Sequence, residues 1–136
     1  MSENSYHLEI ESNPHNLITV EEFINYFAVD LHVPEEKMAG LLLSVTEATT
    51  NAIIHGNKSD ESKLVSIDVK KVDGELVIKV KDHGKGFDPG KVPDPTEPEN
   101  LLKDSGRGIY LMRVYMDDVR YNITPDGTEI TLVLNL

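Results

Sequence analysis

The sequence predicts an α+β fold: a two-layer α/β sandwich with helices packed on one face of a mostly antiparallel sheet. Three observations lead there. Apolar residues of period two gather into two hairpins, over 65–80 and 119–136, each with an Asp-Gly pair at its turn. Two long segments of helical period come before the first hairpin. Strands segregated from helices around one sheet imply two layers.

Each element has its own signal. Tyr6 to Glu11 reads as a short strand. A helix is expected from about Asn16 to Leu31, because Leu17, Val20, Ile24, Phe27 and Leu31 share one face. His32-Val33-Pro34 breaks it, Pro34 opens a second helix through Ile54, and Gly56 closes that helix. Val65, Ile67 and Val69 alternate, Asp73-Gly74 turns the chain, and Leu76, Ile78 and Val80 alternate on the return. Residues 83–105 are broken by Gly84, Gly86, Pro89, Gly90, Pro93 and Pro95, with Pro98 among them, and read as a loop inside the domain. Gly108 to Met116 reads as a helix, and Val119–Thr124 with Glu129–Leu136 as a last hairpin around Asp126-Gly127.

At 136 residues the chain suits one domain, long enough to bury a core. No cysteine is present, so disulfides and thiolate metal sites are excluded. Neither an apolar leader nor a run of membrane-spanning length is found, and a cytoplasmic protein is expected. Thirteen Lys and Arg against twenty-four Asp and Glu give a net charge of −11, which argues against a nucleic-acid backbone as ligand. Any nucleotide would have to be held locally, by a metal and backbone donors.

Three motifs carry chemistry. Residues 47–56 read Glu-Ala-Thr-Thr-Asn-Ala-Ile-Ile-His-Gly inside the second helix. The i, i+4 spacing puts Glu47 and Asn51 one turn apart on one face. With Ser44 and His55 they form a polar stripe, opposite Leu41, Leu42, Val45, Ala48, Ala52 and Ile53. An amide oxygen can coordinate a hard cation such as Mg²⁺, and a carboxylate can take a proton from a nucleophile. Taken alone, the stripe reads more readily as a solvated helix face, and the glycine motifs further on change that reading.

Strict alternation after Leu76, Ile78 and Val80 turns Asp82 to the core side, where a carboxylate needs a partner. His83-Gly84-Lys85-Gly86-Phe87 follows, and its paired glycines let the backbone approach a flat ligand. An Asp beside such a loop can accept a hydrogen bond from an adenine amino group, although Asp-x-Gly-x-Gly alone is also a turn. Ser105-Gly106-Arg107-Gly108-Ile109 starts a helix, and exposed N–H groups there suit a phosphate. The other histidines, His7, His15, His32 and His83, have no metal-ligand spacing.

Together and in this order, the three motifs resemble the GHKL ATP-binding superfamily over essentially the whole chain, and within it the small bacterial anti-sigma-factor serine kinases. The resemblance implies a single ATP-binding kinase domain over 1–136 with a lid at about 87–104. It implies Glu47 as general base, Asn51 as Mg²⁺ ligand and Asp82 as the residue that reads adenine. Gly84 and Gly86 match the first glycine box; Gly106 and Gly108, flanking Arg107, match the second. The cofactors implied are ATP and Mg²⁺. The partners implied are a sigma factor, a second copy in a homodimer, and an anti-anti-sigma (antagonist) protein phosphorylated on serine; neither nucleic acid nor membrane is expected. The lid, rich in proline and acidic residues, departs from the family's pattern. The alternative is a catalytically silent ATP-binding regulatory module whose lid gates protein–protein interaction. A histidine-kinase ATP domain would need a phosphoacceptor helix pair as well.

Overall fold

A computed structural model describes residues 5–84 and 111–136. Five strands form one sheet: β1 (Ser5–Glu11), β2 (Leu64–Val72), β3 (Glu75–Lys81), β4 (Asp118–Thr124) and β5 (Gly127–Asn135). Their order is β1-β2-β3-β5-β4, and every neighbouring pair is antiparallel. Helices α1 (Leu17–Asp30) and α2 (Glu35–Asn51) lie between β1 and β2 in the chain, and residues 111–115 are helical. The two-layer α+β sandwich read from the sequence is thus the fold observed.

Alternation makes the sheet two-sided. Val65, Ile67 and Val69 of β2, Leu76, Ile78 and Val80 of β3, and Ile130, Leu132 and Leu134 of β5 are buried together with Val20, Ile24 and Phe27 of α1 and Leu41 and Val45 of α2. The other face carries Asp68, Lys79 and Arg120, all exposed. The β2–β3 turn is the one predicted. Asp73 and Gly74 both take positive φ, 49° and 79°, which suits a tight hairpin between right-twisted strands.

Two boundaries differ from expectation. The last hairpin turns on Pro125-Asp126 instead of Asp126-Gly127: Thr124 pairs with Gly127, which already belongs to β5. Asp126 N–H donates to Thr124 Oγ1, and this side-chain bond closes the loop one residue early. The second helix does not run regularly through Ile54. It turns π-helical over Ala52–Gly56, with Asn57 N–H bonded to Ala52 O at 2.8 Å, five residues back.

Gly40 on α2 lies directly under Tyr115. A methyl there would stand 2.8–2.9 Å from Tyr115 Cδ1, Cβ and Cγ. The Cβ of Tyr115 is fixed to its backbone and cannot swing aside. Alanine at 40 gains about 1 kcal/mol of helix propensity, and overpacking costs about 1–3 kcal/mol. We expect Gly40→Ala to lower Tm by about 2–5 °C in thermal melts, and Gly40→Ala in a Tyr115→Gly background, where the Cβ itself is gone, to show no such loss.

Candidate nucleotide site

The site is built where α2 meets the ends of β3 and β5. Asp82 directly follows β3 and is 1% exposed, on the core-facing side as alternation requires. Its backbone N–H donates to Thr128 O at 3.0 Å. Its carboxylate Oδ1 accepts from Gly84 N–H at 3.0 Å and from Thr128 N–H at 3.1 Å. Both bonds fall on Oδ1, and Oδ2 packs toward Gly56, where an added methyl would stand 2.1 Å from it. The partner a buried carboxylate needs is therefore backbone N–H, supplied by a turn and by the neighbouring strand.

Glycines make this approach possible. A methyl at Gly84 would meet Gly56 O at 1.8 Å, and one at Gly127 would meet Asp82 O at 2.1 Å. Gly84 does permit a close approach, as its place beside Asp82 suggests, but the group it admits in this structure is the Gly56 carbonyl. Gly127 has a φ of 146°, a conformation that side chains beyond glycine rarely adopt.

Across from Asp82 stands α2. Asn51 is buried, with 5% exposed, and its Nδ2 has no hydrogen-bond partner. Ser44, two turns earlier, is fully buried with its Oγ likewise unpartnered. The predicted polar stripe is therefore not a solvated face where Ser44 and Asn51 are concerned; α2 is enclosed on this side as well as on its apolar side. Glu47 lies between them and is half-buried, as is His55 in the π-helical turn.

Asn51 and Asp82 line one small cavity with Ala48, Ala52, Tyr121 and Thr128. Its volume is about 10 Å³, room for about one water molecule. A purine would therefore meet Asp82 through a bridging water, or would have to part the walls. Burial pushes the Tyr121 phenol up to about 12, against the opposing pull of the Arg113 cation. At neutral pH it stays protonated.

The sequence reading missed Thr128, Tyr121 and Asn57. Thr128 and Tyr121 sit in alternating strands, where a β-branched or aromatic residue signals only the strand. The structure brings Glu47, Asn51, Asp82 and Gly84 to this region. Gly86, Gly106, Arg107, Gly108 and the expected lid at 87–104 lie outside the described residues.

The donor set bears on Mg²⁺. Among the described residues no group of three or more His, Cys, Asp and Glu could hold a metal. That is compatible with Mg²⁺, which is commonly held by one or two protein oxygens with phosphates and water. The buried, unpartnered amide of Asn51 fits such a ligand, since the oxygen and nitrogen of an amide exchange places by rotation about one bond.

A profile described as "Histidine kinase-like ATPase domain" matches residues 10–134. The chain belongs to this family. Its curated relatives include an anti-sigma F factor of Clostridium botulinum, 34% identical over 121 residues, covering 86% of this chain and 83% of the relative. An anti-sigma F factor of Clostridium perfringens is 31% identical over 135 residues, covering 96% and 95%. The resemblance read from the three motifs therefore stands. Among solved structures, one holding the RsbU and RsbW domains of a Mycobacterium tuberculosis protein aligns with a TM-score of 0.73 at 16% identity, over 97% of this chain and 32% of that one. The SiaB–SiaC complex of Pseudomonas aeruginosa aligns at 0.64 and 9% identity, over 96% and 89%. At such identities these two speak for the fold alone. Among the described residues no helix is long and apolar enough to cross a membrane.

Proposed function

We propose that this protein is an ATP-dependent protein-serine kinase and anti-sigma factor, which binds a sigma factor and phosphorylates a serine of an antagonist protein. The observation that carries the reading is the facing pair: an unpartnered buried amide, Asn51, and a buried carboxylate, Asp82, on one cavity in a chain of the ATPase family. The anti-sigma F factor relatives supply the partner class.

In this reading Asp82 accepts from the adenine amino group. Asn51, with its amide oxygen turned to the ligand, would hold Mg²⁺, which would supply neutralisation of phosphate charge. Glu47, one turn away on the same helix, accepts the proton of the incoming serine hydroxyl. Catalysis is then positioning and charge compensation, with little covalent work left to the protein. Glycines 86, 106 and 108 with Arg107 contribute to the nucleotide site, the lid at 87–104 closes over the γ-phosphate, and the protein acts as a cytoplasmic homodimer.

The test is capture of partners from native extract with and without Mg-ATP, followed by transfer of radiolabelled phosphate. A sigma factor and a small protein labelled on serine are expected. If the chain binds ATP and that small protein yet never labels it, it is a nucleotide-gated binding module.

A further inference from the structure

Three successive backbone N–H groups hold the end of β3. Asp82 N–H goes to Thr128 O, Gly84 N–H goes to Asp82 Oδ1, and His83 N–H, between them, goes to the side chain of Asn57. Asn57 follows the π-helical turn and is 1% exposed. Its Oδ1 accepts from His83 N–H at 2.8 Å. Its Nδ2 donates to Ser12 Oγ at 2.8 Å and to Leu64 O at 3.1 Å. Ser12 is itself fully buried and donates to Lys63 O.

A buried amide with both ends satisfied often serves stability alone. Here one of its bonds has a specific address. Asn51 and Asn57 bracket the same π-helical turn, so the turn joins the α2 wall of the cavity to the residue after Asp82. Gly56 in that turn packs against both the Asp82 carboxylate and Gly84. Without the Asn57 bond, the part-buried His83 N–H would lose that partner, and the 82–84 turn could rotate to find another.

We infer that Asn57 is a positioning residue for base recognition: through His83 N–H it fixes the Asp82 carboxylate opposite Asn51, and so sets the preference for adenine over guanine. The inference rests on Asp82 reading the base, as proposed above. The test is calorimetric titration of the full chain with ATP and with GTP, alongside thermal melts. Wild type should prefer ATP, and Asp82→Asn should lose most of that preference. Asn57→Ala should lower the ATP-to-GTP affinity ratio by about 5- to 10-fold, the scale of one hydrogen bond. Ser12→Ala, which loosens the far end of the same amide but spares the His83 bond, should lower Tm and leave the ratio unchanged. If Asn57→Ala does not fold, Asn57→Ser replaces it: its hydroxyl, one bond shorter than the amide, falls short of His83, and the same drop is expected. An unchanged ratio in the folded Asn57 variant, or an equal drop in Ser12→Ala, overturns the inference while leaving the Asp82 reading intact. A wild type without preference, or an Asp82→Asn protein that keeps it, overturns the reading itself and the inference with it.

Discussion

Glu47→Gln is expected to abolish most phosphotransfer while ATP and partner binding persist. The glutamine keeps the shape and most hydrogen bonds of the half-buried glutamate, while it loses the charge and the capacity to take a proton. General-base catalysis typically contributes about 10²–10⁴-fold, so transfer to the antagonist serine should fall by about a hundredfold or more. Single-turnover labelling against calorimetric ATP affinity separates the two effects. Loss of binding in step with loss of transfer would assign Glu47 to the metal or its water shell instead.

Asp82→Asn should weaken ATP binding by about 10- to 100-fold, from the loss of a hydrogen bond to a charged group. The geometry specifies which oxygen matters. Oδ1 is held by two backbone N–H groups, and an asparagine oxygen can keep both bonds, so the fold should survive. The new NH₂ then takes the place of Oδ2 beside Gly56. It presents a donor where adenine, or a water bridging to it, requires an acceptor. Calorimetry on a protein with wild-type Tm decides the matter, and full ATP affinity there would exclude Asp82 from base recognition.

What the sequence made legible follows from the range of each signal. Side-chain parity along a strand is local and strict, so Leu76, Ile78 and Val80 were enough to turn Asp82 inward. The i, i+4 relation of Glu47 and Asn51 is local too. Burial of Ser44 and Asn51 is not, because it depends on what packs over α2, and a polar stripe reads as solvent-facing until that neighbour is known. Asn57 was missed for the same reason. Its partners Ser12, Leu64 and His83 are scattered through the chain, and an asparagine after His-Gly in sequence suggests only a helix end. Gly84 was legible in kind, as a place of close approach, but its neighbour Gly56 is 28 residues away in the numbering and met only in the fold.

The π-helical turn at Ala52–Gly56 constrains how this segment can vary in length. Deleting one residue there would let the turn close four residues back, as an α-helix does, where it now closes five back. An α-helix advances about 100° per residue, so four α-helical steps turn through about as much as five steps of the wider turn, and Gly56 and Asn57 would keep their facing relative to Asn51. Deleting a second residue has no such slack: it would swing both by about 100°, carrying the Asn57 amide away from His83. The turn thus holds one residue in reserve, and among related chains a gap of two at this point, not of one, would mark a protein whose counterpart of the Asp82 carboxylate has lost that support.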